Sequence, residues 1–209
     1  MSVQKKTPRR RLPPAERREE ILAAALRVFG KGGYHGTHVD HVIRAAGVAR
    51  GTFYLYFQSK HDVFAALVDR MLQIFLDARP AVAEPKVRSV ADAEAVLRLS
   101  YRALFETFRE HRHLCRLLFD EAVGIDKGFA EQLNRHLGAW HERVASTIRM
   151  FVEKGVGRRG LDIEVTSDLV LGMVERLTRR HLFQEKAPDL ERLVDAIVSL
   201  ELHGITPVR

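Results

Sequence analysis

Residues 49–57 read ARGTFYLYF, and the structure that this stretch adopts decides the fold. Four aromatic side chains and a leucine fill its last five positions, a composition that favours a β-strand by propensity alone. A strand needs a pairing partner, and no other β-rich run or hairpin signal lies nearby. As a helix, the stretch places Phe53 and Phe57 on one face and Thr52 and Tyr56 on another. We therefore predict a short helix with one packed face and one polar, exposed face.

The flanking segments have the spacing of helices. Apolar residues recur on one face of a first predicted helix, which begins near Pro14. A second, short helix runs from Thr37, its predicted N-cap, to Gly47, whose permissive backbone allows a tight connection. Residues 37–57 thus read as helix, turn and helix, and Ser59 is the predicted cap of a fourth helix.

The positive charge is concentrated at the start of the chain. The protein has 209 residues and a formal net charge of +7. Its first 60 residues hold twelve Lys or Arg and four Asp or Glu, a net charge of +8, whereas the remainder holds twenty-two and twenty-three, a net charge of −1. Such segregation is typical of a chain in which one module faces a polyanion and the other does not.

Neither a membrane span nor a signal peptide is predicted. No run reaches eighteen consecutive apolar residues, and no short apolar stretch follows the basic N-terminus. Cys115 is the only cysteine, so no intrachain disulfide can form. We expect a cytoplasmic protein without a membrane partner.

The rest of the chain also reads as helices, so the predicted fold class is all-α. Apolar stripes at helical spacing run through the C-terminal three quarters of the sequence. Their predicted breaks lie near Pro85, at 124–128, at 155–160 and at Pro188.

Residues 21–68 contain an AAGV turn, the GTFYLYF stretch and an SK pair at the start of the fourth helix. In this combination they resemble the DNA-binding domain of the TetR family of transcriptional regulators. Residues 1–14 are basic, rich in proline and poor in large apolar side chains, which predicts a flexible arm. The resemblance implies a three-helix helix-turn-helix domain at 15–58 and a helical bundle for effector binding and dimerisation at 59–209. It also implies a homodimer on a palindromic double-stranded DNA operator, usually a repressor, released by a small, largely apolar effector. No cofactor is expected.

Eight residues are candidates for DNA contact: Thr37, His38, Arg50, Gly51, Thr52, Tyr54, Tyr56 and Lys60. The resemblance, carried over position by position, implies five of them: Gly51, Thr52, Tyr54, Tyr56 and Lys60. A threonine can bond a base edge, and tyrosine hydroxyls or a helix N-terminus can hold phosphate oxygens. Gly51 lets the backbone approach the duplex, Lys60 reaches a phosphate, and Arg50 contacts either a guanine or a phosphate. For Tyr54 and Tyr56, partial packing against the first helix is the alternative.

Two further sets of candidates lie in the C-terminal region. The effector pocket candidates combine apolar rings with groups able to orient a ligand: Phe105, Phe108, Phe119, Glu121, His136, Trp140, His141 and Met150. The dimer interface candidates lie on the stripes of the last two helices: Leu169, Gly172, Met173, Leu193 and Ile197. Packing within one subunit is the alternative for both sets.

Other signals are weaker. GVGRRG at 155–160 has the glycine spacing of a dinucleotide fingerprint but follows a helix instead of a strand, so we interpret it as a loop. His111 and Cys115 are one helical turn apart without an evident third ligand, so no metal is predicted. No nucleophile, base and orienting acid can be assembled, so an enzyme is not predicted. The alternatives are a helical enzyme or carrier with a basic module, and a constitutive DNA-binding protein without an effector.

Overall fold

The computed structural model describes residues 12–77, 87–121, 127–184 and 188–204, so most of the predicted arm lies outside the described residues. The described residues form helices and no strand, which confirms the all-α prediction. In chain order the helices are α1 (Pro14–Gly32), α2 (Val39–Ala46), α3 (Arg50–Tyr54), α4 (Lys60–Asp77), α5 (Val90–Glu110), α6 (Arg112–Glu121), α7 (Lys127–Glu153), α8 (Ile163–Leu177) and α9 (Leu190–His203). A π-helical turn, Thr178–Leu182, directly follows α8.

The chain divides into two compact units, Met1–Leu67 and Val68–Arg209. The division falls within α4, whose first turns belong to the N-terminal unit. There Phe64 packs edge-on against Phe29 and Tyr34, with ring centroids 5.4 Å and 4.9 Å apart. The domain bounds predicted at residues 14 and 58 stay a prediction.

An aromatic cluster forms the centre of the N-terminal unit. Phe53 and Phe57 are 0% and 1% exposed, and their ring centroids lie 5.9 Å apart. Phe29 and Phe64 are equally buried. The prediction that Phe53 and Phe57 pack is confirmed, since both are buried, α3 contacts α2, and Cζ of Arg18 in α1 lies 5.1 Å from the Phe57 ring centroid.

The opening stretch is helical, although its regular part is shorter than predicted. α3 covers five residues, and Leu55 and the residues after it continue as turns. Gly47 ends α2 in the left-handed conformation, with φ 59° and ψ 34°. Only glycine adopts this conformation without a steric penalty, so the predicted tight connection is confirmed.

The two predicted helix caps have different outcomes. Thr37 is not an N-cap, because α2 begins at Val39 with His38 in the cap position. The Thr37 side chain is 1% exposed instead, and its amide donates to the Tyr34 carbonyl at 3.3 Å. The Ser59 cap is confirmed, because Ser59 Oγ accepts from the Asp62 amide at 3.0 Å.

In the C-terminal unit, α5 packs along α9 and α7 packs along α8. Ion pairs between Arg98 and Asp195 and between Arg102 and Glu191 join α5 to α9. The predicted break at 155–160 is confirmed by the end of α7 and the start of α8. The break between α5 and α6 at His111 was not predicted.

The remaining predicted breaks concern α9 and residues that are not described. Asp189 caps α9 through its side chain, which agrees with a break at Pro188. Residues 78–86 and 122–126, where breaks were also predicted, lie outside the described residues. No described helix combines the length and the apolar content that crossing a bilayer requires.

Candidate functional site

The outer face of α3 is the candidate nucleic-acid interface. Phe53 and Phe57 fix its inner face, and residues two positions before and after Phe53 project to the opposite side of a helix. Those residues are Gly51 and Leu55. Leu55 is 80% exposed and Tyr54 beside it is 38% exposed. Apart from neighbouring residues and the backbone of its own helix, no atom lies within 4 Å of a Cβ built on Gly51. This face is therefore open to a partner.

Arg50 and His38 extend this exposed surface at the helix starts. Arg50 Nη1 lies 3.4 Å from Asp40 Oδ1, with both side chains more than half exposed. An exposed ion pair of this kind is worth little, so Arg50 can exchange Asp40 for a phosphate at small cost. His38 is exposed at the start of α2, and its ring contacts His41 at a centroid distance of 5.5 Å.

Thr52 and Tyr56 flank the exposed face and are half-buried. Each has part of its side chain against the domain and part in solvent, so packing and DNA contact are compatible at these positions. The sequence predicted a polar face centred on these two residues, and the structure centres the exposed face one position away, on Leu55.

Two further predicted DNA residues, Thr37 and Lys60, are also bonded inside the domain. Thr37 is 1% exposed and its amide donates to the Tyr34 carbonyl, so the structure buries this residue, and its place at the DNA stays a prediction. Lys60 Nζ donates to the Tyr34 carbonyl at 2.8 Å and lies 4.2 Å above the Tyr34 ring. Lys60 therefore fastens the start of α4 to the α1–α2 connection, and two ammonium protons are left for a phosphate.

The C-terminal unit contains a cavity of about 760 Å³. Residues of α4, α5, α7, α8 and α9 and of the α7–α8 loop line it. Its apolar wall includes Phe75, Leu97, Leu104, Trp140, Val144, Ile148, Phe151, Leu169, Val170 and Met173. A concave, mostly apolar site of this size fits a small organic ligand.

One acidic pair lies in the cavity wall. The Tyr101 hydroxyl of α5 donates to Glu201 Oε1 of α9. Burial raises the pKa of Glu201 from 4.5 to about 7, against the lowering effect of the Tyr101 bond. Burial, followed by the Glu201 charge, also raises the pKa of Tyr101 well above its usual value. The cavity thus holds a carboxyl group whose ionisation is costly near neutral pH.

The basic side chains of the lining are Arg143, Arg158 and His203. Arg158 and His203 are exposed, which places them where the cavity meets solvent. Arg143 is half-buried on α7.

Most predicted pocket residues lie elsewhere. Trp140 lines the cavity, but Phe105 and Phe108 are core residues, 0% and 2% exposed. Phe119 packs beneath the Arg179 guanidinium, whose Cζ lies 5.1 Å from the centroid of the Phe119 ring. His141 Nε2 lies 3.3 Å from the Glu164 carbonyl oxygen. Neither of them lines this cavity, nor does Met150. The side chains of Glu121 and His136 lie outside the described residues.

The predicted dimer residues divide between the two last helices. Leu193 and Ile197 are 5% and 2% exposed within one subunit, which favours the alternative of packing in its core, and a role for them in a dimer stays a prediction. On α8, Leu169 is 63% exposed and Gly172 is exposed, while Met173 is half-buried.

Within the described ranges, no group of three His, Cys, Asp or Glu side chains is placed to bind a metal ion. Cys115 is buried, and burial raises the pKa of its thiol to about 12.

Residues 21–67, which include α3 and its buried aromatic face, match the family model described as "Bacterial regulatory proteins, tetR family". This match identifies residues 21–67 as a TetR-family domain. The match covers the N-terminal unit from the middle of α1 to the middle of α4.

Similarity to known regulators extends over nearly the whole chain. A fatty acid metabolism regulator protein from Bacillus subtilis is 23% identical over 186 residues, which cover 89% of this chain and 94% of that protein. The structure of the fatty acid degradation regulator FadR from Bacillus halodurans aligns with a TM-score of 0.77 and 24% identity over 98% of this chain and all of that one. The structure of FadR from B. subtilis in complex with stearoyl-CoA aligns with a TM-score of 0.76 and 22% identity. The alignment covers 90% of this chain and 99% of that one. These structural likenesses establish a shared fold.

Proposed function

We propose that the protein is a repressor that binds a palindromic operator as a homodimer and is released by a largely apolar effector. The observation that carries this proposal is the open outer face of α3, held on a rigid aromatic core in a TetR-family domain. The positive charge of the first 60 residues adds affinity for the phosphate backbone.

On DNA, α3 enters the major groove with its outer face toward the base edges. Thr52 and Tyr54 contact bases, and Gly51 permits a close approach because it has no side chain. Arg50 and His38 hold phosphates and fix the register of the helix. A two-fold dimer places two such helices about 34 Å apart, in successive turns of the groove.

Dimerisation uses the exposed side of α8. Leu169 and Gly172 lie on this side, and an exposed leucine next to a glycine allows two helices to approach closely. Dimerisation would cover apolar surface that a single subunit leaves in water.

The effector occupies the cavity of the C-terminal unit. Its volume and apolar wall support a ligand with a substantial hydrocarbon part. The relative named for fatty acid metabolism and the FadR structure with stearoyl-CoA support an acyl chain as the first class to test.

Helix α4 couples effector binding to DNA binding. Its residue Phe75 lines the cavity, and its residue Phe64 packs against Phe29 in the core of the N-terminal unit. A ligand that favours one position of α4 then changes the spacing of the two α3 helices. Because coupling is reciprocal, operator DNA must weaken effector binding by the same factor.

Fluorescence anisotropy with a labelled operator duplex tests the proposal. Affinity should fall steeply with salt, since phosphate neutralisation releases counterions. Saturating acyl-CoA should then lower operator affinity, and CoA without an acyl chain serves as the matched control. Operator affinity that is unchanged at saturation by the acyl compound would remove the effector switch.

A further inference from the structure

The cavity wall carries one carboxyl group without a counter-charge. Among the described residues, Tyr101 is the only hydrogen-bond donor to Glu201, and Glu201 has no ion-pair partner. A carboxylate offers about four acceptor positions, so most of its capacity is unfilled. Because Glu201 lines the cavity, a ligand there can use that capacity.

A buried carboxylate of this kind lowers stability unless a ligand fills its unused acceptor positions. A buried carboxylate is stabilised by hydrogen-bond donors or by a cation, and it is destabilised by apolar surroundings. Burial raises its pKa to about 7, so part of the population is charged near neutral pH. A donor on the ligand would supply the missing bond, whereas a ligand carboxylate would add a like charge.

We propose that Glu201, held by Tyr101, is the polar recognition site of the cavity and accepts a hydrogen bond from the effector. The effector is then an apolar molecule with a hydroxyl, amide N–H or ammonium group at this position, instead of a free fatty acid anion. This inference rests on the proposed function, because it takes the cavity as the effector site. It narrows the acyl class to derivatives that carry a donor.

The basic side chains of the lining would instead favour an anionic ligand, so the two expectations can be tested against each other. Arg158 and His203 are exposed, so solvent screens their attraction for an anion. Arg143 is half-buried and has another interaction within the protein. If these groups dominated recognition, a carboxylate ligand would bind best.

Direct ligand binding without DNA distinguishes the two expectations. Trp140 is the only tryptophan of the chain and lines the cavity, so its fluorescence reports occupancy. The test compounds are 1-octanol, octylammonium, octanoate and heptyl methyl ether. The ether is an isomer of octanol that accepts hydrogen bonds but donates none. The difference in affinity between octanol and the ether therefore measures the contribution of the hydrogen-bond donor.

We expect octanol and octylammonium to bind roughly tenfold more tightly than the ether, with octanoate no tighter than the ether. In Glu201→Gln, which keeps an acceptor oxygen but loses the charge, the advantage of octylammonium should disappear while that of octanol persists. In Glu201→Leu both advantages should disappear, and unchanged ether affinity would show that the cavity is intact.

Other results would overturn the inference. Octanoate binding as tightly as octanol would assign recognition to the arginines. Equal changes for all four compounds in both variants would give Glu201 a purely structural role. If no compound alters Trp140 fluorescence, the cavity does not recognise these donors and the inference fails, while the operator titration with acyl-CoA tests the proposed switch separately. If Glu201→Leu does not fold, the wild-type ranking and the Gln variant still decide.

Discussion

Replacement of Glu201 by glutamine should remove a pH dependence from the stability of the C-terminal unit. Burial raises the pKa of Glu201 to about 7 in the folded protein, whereas the unfolded chain has the usual value of 4.5. The folded state therefore binds this proton more tightly. The resulting stabilisation is fully present below pH 4.5 and is lost as the pH rises through about 7.

The magnitude follows from the two pKa values. Each pKa unit corresponds to about 1.4 kcal/mol, so the interval from 4.5 to about 7 represents roughly 3 kcal/mol of unfolding free energy. Since Glu201 is not fully buried, about 3 kcal/mol is an upper value. Glutamine has a similar shape and does not titrate, so the variant should lose this component only.

Urea unfolding followed by Trp140 fluorescence measures the effect. As the pH rises from about 4.5 to about 8, the wild type should lose up to about 3 kcal/mol of unfolding free energy relative to Glu201→Gln. Tyr101→Phe is the matched second variant. It removes the bond that lowers the pKa of Glu201, so the loss of stability should move to higher pH. A wild-type minus glutamine difference that is constant across this range would refute the burial argument.

Three further substitutions test the N-terminal unit. Phe57→Ala should lower its unfolding free energy by about 3 to 5 kcal/mol, because Phe57 is 1% exposed, and thermal unfolding should show the loss. Lys60→Met should lower the unfolding free energy by about 1 to 3 kcal/mol, because it removes the hydrogen bond to the Tyr34 carbonyl, and it should weaken binding to all DNA sequences alike. A change in DNA affinity without any change in stability would contradict the internal contact. Thr52→Ala should cost about 1 to 3 kcal/mol of operator affinity and relax one base position, and a uniform loss over all sequences would contradict base contact.

Local signals predicted the N-terminal unit well. The four-residue spacing of Phe53 and Phe57 identified α3 as a helix against its β propensity, because both rings pack on neighbours that the adjacent helices supply. The turn at Gly47 was also predictable, because a left-handed turn between helices strongly favours glycine. Ser59 followed from the preference of hydroxyl side chains for N-caps.

The features that depend on distant segments were not predictable. Tyr101 lies on a recognised apolar stripe, but its partner Glu201 is 100 positions away and has no local signal. Leu193 and Ile197 are apolar at helical spacing, which does not distinguish a core from a subunit interface. Thr37 could cap a helix by type, yet the start of α2 lies two residues later and the domain buries its side chain.

The most direct test of the central claim is selection of bound fragments from random duplex DNA by the full-length protein. We predict a palindromic site whose half-sites lie about one helical turn apart, centre to centre. In Thr52→Ala, the base preference at one position of each half-site should be lost. Recovery of no enriched sequence, or of an enriched site that Thr52→Ala and Tyr54→Ala leave unchanged, would contradict the account of α3 as the reading helix.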